Sequence, residues 1–285
     1  MKTIIVPTDF SDTALKALLY AGEIAQRSGA VVHLLHVLEP DENRVWRPHV
    51  QEDDYVAAVT RERLSRLDAT WKLMLQQYPN VTVVTELAHG LVADAILDYA
   101  AAQQAGLIIM GTTGATGMKQ VMVGSVAAKL ISRAGIPVLA IPAVYEVEDP
   151  DRLLLATNRF EQEAHILEPL LELVRLLQLQ LHIAVFLDTD DAEVVDYINS
   201  GRKLEAYVKQ LQKEHPDISI KGTVLEGKDF EETVEAYIHR EEIDMVAMIP
   251  YQKNFLDRLL GRSATRRMAY HSTIPLLSIP ARAAE

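Results

Sequence analysis

The sequence predicts an α/β protein of two tandem open-sheet domains, each a parallel five-stranded sheet with helices on both faces. Three observations lead there: short runs that are apolar at nearly every residue, longer stretches of helical period between them, and recurrence of the pattern in the second half. Runs without polar alternation belong to strands covered on both sides, and strands linked through helices pair in parallel.

In the first half, strands are predicted near residues 3–7, 31–37, 81–87, 107–110 and 137–141. Asp12 to Ser28 places Ala14, Leu15, Leu18, Leu19, Ile24 and Ala25 along one helical face. Val56 to Tyr78 and Val92 to Gln104 give two more helices, and Leu130 belongs to a fourth that opens at Gly124-Ser125. Helical stretches rich in Asp, Glu and Gln, such as Glu161 to Gln178, read as solvated faces.

The repeat fixes the domain organisation. Val32-His33-Leu34-Leu35-His36-Val37 recurs 149 residues later as Leu181-His182-Ile183-Ala184-Val185-Phe186. Ile136-Pro137-Val138-Leu139-Ala140-Ile141-Pro142 recurs 138 residues later as Ile274-Pro275-Leu276-Leu277-Ser278-Ile279-Pro280. Ile4 to Asp9 likewise finds an echo in Leu153 to Asn158. The expected domains are residues 1–143 and 152–285, joined by the acidic, proline-bearing linker 144–151.

Composition bounds the function. A chain of 285 residues, 49% hydrophobic and 24% charged, has room for two domains of roughly 100 to 200 residues. A net charge of −12, with an isoelectric point near 5.2, argues against a broad nucleic-acid or anionic-membrane surface, which needs positive potential. The chain has no cysteine, so disulfides and thiolate metal sites are excluded. The opening apolar run is broken by Pro7 and Asp9, too short for a secretion signal, and no later run reaches membrane-spanning length; the expected location is the cytoplasm.

The most informative motif follows the fourth strand. Gly111 and Gly114 enclose two residues, and nine residues further on stand Gly124 and Ser125. Glycines behind a strand let the backbone approach a ligand, and Gly-Ser at a helix start suits phosphate held on N–H groups and the helix dipole. In an open parallel sheet, ligands bind beyond the carboxyl ends of the strands, where Asp9, Val37 and Gly111 all fall.

This spacing, with Val6-Pro7-Thr8-Asp9-Phe10-Ser11 and His36-Val37, resembles the ATP-binding branch of the universal stress proteins, two such domains in one chain. The resemblance implies the adenine nucleotide α-hydrolase-like fold and ATP as ligand, with Mg²⁺ reaching the protein mainly through the phosphates. It implies that Asp9 accepts from the ribose hydroxyls with Thr8 beside it, that Val37 faces the adenine, and that Pro7 forms an apolar wall. Met110 through Gly114, with Gly111, Thr113 and Gly114 among them, then wrap the ribose and phosphates, and Gly124, Ser125, Val126 and Ala127 bind the phosphate chain. It also implies an intrachain pseudo-dimer through residues 137–141 and 274–279, with a homodimer and an unidentified protein partner compatible with it.

Plainer readings stand beside these. Asp9 or Ser11 alone reads as a helix N-cap, and Gly111 to Gly114 alone as an ordinary loop. His33, His36 and His182 lie in strand runs without acidic or cysteine companions and read as core histidines, not metal ligands. Lys119 and Lys129 lie near the motif in sequence.

The second half departs from the pattern. The 138-residue offset puts Ile249, Gln252 and Arg262 where the first half has Gly111, Gly114 and Gly124; Ser263 matches Ser125, and Asn158 replaces Asp9 at the 149-residue offset. A domain so changed is not expected to bind ATP in the family's way; it serves as a pseudo-dimer partner or, through Arg262, Arg266 and Arg267, as an anion site. Enzymatic motifs for kinases, dehydrogenases, zinc hydrolases and serine hydrolases are missing, so the expected role is a nucleotide-dependent regulator or sensor. The competing roles are a weak ATPase or phosphotransferase and a nucleotide-independent scaffold.

Overall fold

The computed structural model describes residues 1–39, 52–112, 124–146, 149–157, 160–190, 194–249 and 273–281. The chain divides into two compact units, Met1–Ala143 and Val144–Glu285, each taken by itself below.

The first unit runs β1 (Thr3–Pro7), α1 (Asp12–Ser28), β2 (Val31–Leu38), α2 (Glu52–Gln77), β3 (Val83–His89), α3 (Val92–Ala102), β4 (Leu107–Gly111), α4 (Ser125–Arg133) and β5 (Val138–Ile141). Its strands lie in the order β3-β2-β1-β4-β5, all parallel. The order reverses at β1, whose neighbours are β2 and β4, so a crevice opens beyond the carboxyl ends of these three strands.

The core follows from the apolar runs. Ile4, Ile5, Val6, Leu34, Leu35, Ile108 and Ile109 are fully buried, as expected of strands with helices on both faces. Helix α1 starts at N-cap Ser11, whose Oγ accepts from Ala14 N at 3.2 Å, and ends at Gly29 with φ of 71°. Its buried face is Ala14, Ala17, Leu18, Ala21, Ile24 and Ala25; Leu15 and Leu19, expected on that face, are half-buried at its margin. Strand β3 starts two residues later than predicted, because Val81 N closes a turn onto Tyr78 O.

The second unit repeats the plan with β6 (Arg152–Thr157), α5 (Ala164–Leu177), β7 (Gln180–Asp188), α6 (Val194–Glu214), β8 (Ile220–Gly227), α7 (Phe230–Glu241), β9 (Met245–Met248) and β10 (Leu276–Ser278). The order is β10-β9-β6-β7-β8, again parallel. The registers coincide: Thr3 pairs with Val31 as Arg152 pairs with Gln180, and Val32 pairs with Val83 as Leu181 pairs with Ile220.

One expectation fails in this unit. Glu161 to Gln178 is not a solvated stretch, since Ile166, Leu170, Leu171, Leu173, Val174 and Leu177 are buried and so is Glu161. The three- and four-residue spacing of the aliphatic positions, rather than the number of acids between them, decides which way the helix faces.

The strand histidines lie in the core, and two are duplicated features. His33 Nδ1 on β2 stands 2.9 Å from the Tyr99 hydroxyl on α3, and His182 Nδ1 on β7 stands 2.9 Å from the Tyr237 hydroxyl on α7. His182 Nε2 donates to Gln180 Oε1 at 2.9 Å, so its Nδ1 accepts from Tyr237. Burial pushes both imidazoles below their usual pKa; Glu86 opposes this at His33, and Lys221 reinforces it at His182.

Among the described residues no helix is long and apolar enough to cross a membrane, and no cluster of three or more His, Cys, Asp or Glu could hold a metal ion.

Candidate functional site

The crevice of the first unit is built on the turn from β1 into α1. Pro7 closes β1, and Thr8 N still donates to Leu35 O at 2.8 Å, so the sheet's hydrogen bonding continues past the last strand residue. Thr8 is buried; its carbonyl accepts from His36 Nδ1 at 2.7 Å and its Oγ1 from Phe10 N at 3.0 Å. Asp9 is exposed, with Oδ1 accepting from Ser11 N at 3.0 Å. Ser11, and not Asp9, is therefore the N-cap of α1, which leaves the Asp9 carboxylate facing solvent at the strand end.

Between them Phe10 adopts φ of 64°, a left-handed conformation uncommon for a bulky residue. Its ring lies 4.5 Å from the His36 ring on one side, and the Arg66 guanidinium stands 4.3 Å from its centroid. These contacts, with the Thr8 and Asp9 hydrogen bonds, hold the turn in one shape.

Val37 is buried near the end of β2, paired with Ala88 of β3. Met110 is buried in β4, and Gly111 ends that strand. A Cβ at Gly111 would stand 2.7 Å from Thr13 Cγ2 and 3.1 Å from the Thr13 backbone carbon, so the first turn of α1 alone demands glycine there. Thr112, within the Met110 to Gly114 stretch, is buried: its N donates to Ile141 O at 2.9 Å and its carbonyl accepts from Gly124 N at 2.5 Å. Residues 112 and 124 are thus joined at the base of the segment between them. Thr113, Gly114 and Lys119 lie outside the described residues.

Gly124 is the N-cap of α4, with extended φ of −63° and ψ of 157° and no side-chain cap. Ala128 N is bonded to Gly124 O at 2.9 Å, so the N–H groups of Ser125, Val126 and Ala127 precede the first intrahelical donor. The first turn carries no acidic residue. Ser125 is exposed, Val126 half-buried, Ala127 buried and Lys129 exposed. Three backbone donors at the positive end of a helix are suited to an anion, and the exposed Asp9 carboxylate to hydroxyl donors.

Comparison with known proteins then decides the family. The model of the universal stress protein family matches residues 1–142 and again 150–280. The chain belongs to the universal stress protein family. Universal stress protein MJ0531 of Methanocaldococcus jannaschii is 33% identical over 140 residues, covering 49% of this chain and 81% of that protein. A crystal structure of a universal stress protein from Archaeoglobus fulgidus covers 98% of both chains with a TM-score of 0.71 at 18% identity, a likeness of fold. A universal stress protein solved in complex with cAMP is 26% identical over 49% of this chain and 96% of its own, with a TM-score of 0.34.

In the second unit, Met248 pairs with Ser278 as Met110 pairs with Ala140, so Ile249 stands at the position of Gly111 and is buried. Helix α5 starts at Ala164, three residues later than the register of α1 requires, so the turn that excludes a side chain at Gly111 has no helical counterpart. Asn158, Gln252, Arg262, Ser263, Arg266 and Arg267 lie outside the described residues.

Two features of the turn had no signal in the sequence. The Arg66 contact bridges 56 positions of chain, and the left-handed Phe10 sits where glycine or asparagine would be the usual choice.

Proposed function

We propose that the first unit binds ATP beyond the carboxyl ends of β1, β2 and β4 and that the protein acts as a nucleotide-dependent regulator. The observation that carries this reading is the amino terminus of α4, where Gly124 supplies no side-chain cap and is fastened beside the end of β4 by the bond from Gly124 N to Thr112 O. On this reading the phosphates lie on the N–H groups of Ser125, Val126 and Ala127, with Gly124 at their approach. Asp9 and Thr8 take the ribose, Val37, Pro7 and Met110 enclose the base, and Gly111, Thr113 and Gly114 continue the wall. Mg²⁺, where present, is carried on the phosphates and brings charge neutralisation.

The second unit, on the same reading, does not bind ATP in this way. Buried Ile249 at the position of Gly111 supports that asymmetry.

The test is to denature the purified protein, identify any small molecule released, and titrate the protein with ATP and with cAMP by calorimetry, beside a Gly124→Arg variant. Retention or binding of ATP at about one equivalent per chain, lost in the variant, is the expected result. Absence of binding heat with either nucleotide overturns the reading in favour of a nucleotide-independent scaffold. Turnover of ATP that disappears with Asp9→Ala shifts the role from regulator to enzyme.

A further inference from the structure

Phe10, in the turn from β1 into α1, holds a left-handed backbone that costs a bulky residue free energy, so other groups must keep it there. Two short bonds frame it: Thr8 Oγ1 accepts from Phe10 N at 3.0 Å, and Asp9 Oδ1 accepts from Ser11 N at 3.0 Å. The second bond spans the φ and ψ of Phe10, and a rotation there swings Ser11 N away from the Asp9 carboxylate. The orientation of Asp9 and the conformation of Phe10 therefore change together.

The Phe10 side chain is held from two sides. Its ring lies 4.5 Å from the ring of His36, whose Nδ1 donates to Thr8 O at 2.7 Å. From α2 the Arg66 guanidinium stands 4.3 Å from the ring centroid, within cation–π range. Arg66 is exposed, and its Nη1 is 3.7 Å from Glu62 Oε1, too long for a hydrogen bond, so that ion pair competes weakly with the ring. The helix under Arg66 is firmly seated: Leu67 and Met74 are buried, and a Cβ on Gly22 of α1 would stand 2.5 Å from Tyr78 Cδ2 and 3.0 Å from Met74 Cγ. Arg66 thus reaches the turn from a fixed base.

The second unit fastens the corresponding turn by other means. Phe160 lies three residues past the end of β6, as Phe10 lies three past the end of β1. Its ring meets that of Tyr207 on α6 edge-on, with centroids 5.4 Å apart, and Tyr207 Oη donates to Glu161 O at 2.6 Å. Tyr207 and Glu161 are buried. Both copies pin the phenylalanine behind their first strand to their second helix, the second copy through a buried ring and the first through an exposed cation. An exposed contact contributes little to the core, so what it controls is the shape of the turn.

We propose that Arg66 is a positioning residue of the nucleotide site: without touching the ligand, it holds Phe10 left-handed and so presents Asp9 and Thr8 to the ribose. This inference rests on the ATP reading of the first unit.

The test is calorimetric titration of the full chain with ATP for the wild type, Arg66→Ala, Arg66→Lys, Phe10→Gly and the double variant of Phe10→Gly with Arg66→Ala, beside thermal unfolding and ¹H–¹⁵N spectra of each without nucleotide. Arg66→Ala is expected to weaken ATP about two- to fivefold, the order of an exposed cation–π contact, and to shift the amides of Asp9, Phe10 and Ser11. Arg66→Lys, which keeps a cation for the ring, is expected to recover part of the affinity. Glycine takes the left-handed conformation without a ring, so in the Phe10→Gly background Arg66→Ala is expected to cost nothing further. Unchanged affinity in Arg66→Ala, with the wild type binding, overturns the proposal and leaves the ATP reading standing. A loss of the same size in the Phe10→Gly background means that Arg66 acts on the nucleotide directly, and that also overturns it. Failure of the wild type to bind ATP overturns the reading and the proposal together.

Discussion

Gly111 and Thr13 touch so closely that a Cβ on the glycine would stand 2.7 Å from Thr13 Cγ2. The end of β4 and the first turn of α1 are therefore fitted to each other before any ligand is considered. Gly111→Ala is expected to destabilise the first unit by roughly 1–3 kcal/mol, the usual cost of overpacking. Thr13→Ala, by removing Cγ2, should recover part of the loss; denaturant unfolding of the two single variants and the double variant gives the coupling, and strict additivity would refute the contact.

Asp9 is exposed, and its Oδ1 accepts from Ser11 N in the turn, so binding and folding are measured together on its variants. Asp9→Ala is expected to weaken ATP by about 1.5–3 kcal/mol, roughly ten- to a hundredfold, while the lost bond to Ser11 N lowers stability by about 1 kcal/mol. Calorimetry and thermal unfolding on the same preparation check it. Unchanged affinity would remove Asp9 from the site.

The buried histidines make stability depend on pH. Both His33 and His182 titrate below their usual value when folded, burial being the main cause. Near pH 6.5 the unfolded chain takes up protons that the folded chain refuses, so stability is complete above that pH and is lost as pH falls below it. The expected slope is at most about 1.4 kcal/mol per pH unit for each imidazole, read from urea midpoints between about pH 7 and 5.5. His182→Gln should flatten the slope. On the alkaline side, burial and the nearby Glu241 push Tyr237 up to about 12, so its contribution is present below about pH 10 and is lost as pH rises from there toward 12.

Gln178 occupies a left-handed C-cap that glycine fills at the end of α1. Gln178→Gly is expected to stabilise the second unit by about 1 kcal/mol, the order of the left-handed penalty for a side chain. A fall in the unfolding midpoint would mean that contacts of the glutamine side chain outweigh that penalty.

Much of this architecture was legible in the sequence because its signals are local. The apolar runs around Ile108 and Leu34 announce strands buried on both faces, and the span of α1 is written in Ser11 and Gly29 at its ends. The recurrence of Val32 to Val37 gives the second copy its register. Contacts across the chain were not legible. The pairing of Gly111 with Thr13, the clamp of Arg66 on Phe10 and the closure from Thr112 to Gly124 depend on where distant backbones meet. The stretch Glu161 to Gln178 misleads because its acids stand out in composition, whereas the aliphatic spacing within α5 decides which face is buried. Of the nucleotide motif, Thr113 and Gly114 lie outside the described residues, and the strand-end and helix-start residues are those with a described environment.

The duplicated histidine–tyrosine pair dates itself. His33 and His182 are 149 residues apart, whereas Tyr99 and Tyr237 are 138 apart, so 11 residues of length difference accumulated between the partners while both contacts stayed at 2.9 Å. A pair present in both copies is most simply inherited from a one-unit ancestor that already possessed it. Gly111 of the first unit and Ile249 of the second, at one position of the plan, are a point on which the copies differ. The histidine–tyrosine contact therefore belongs to the common ground plan of the fold, and the positions on which the copies differ record how they parted afterwards.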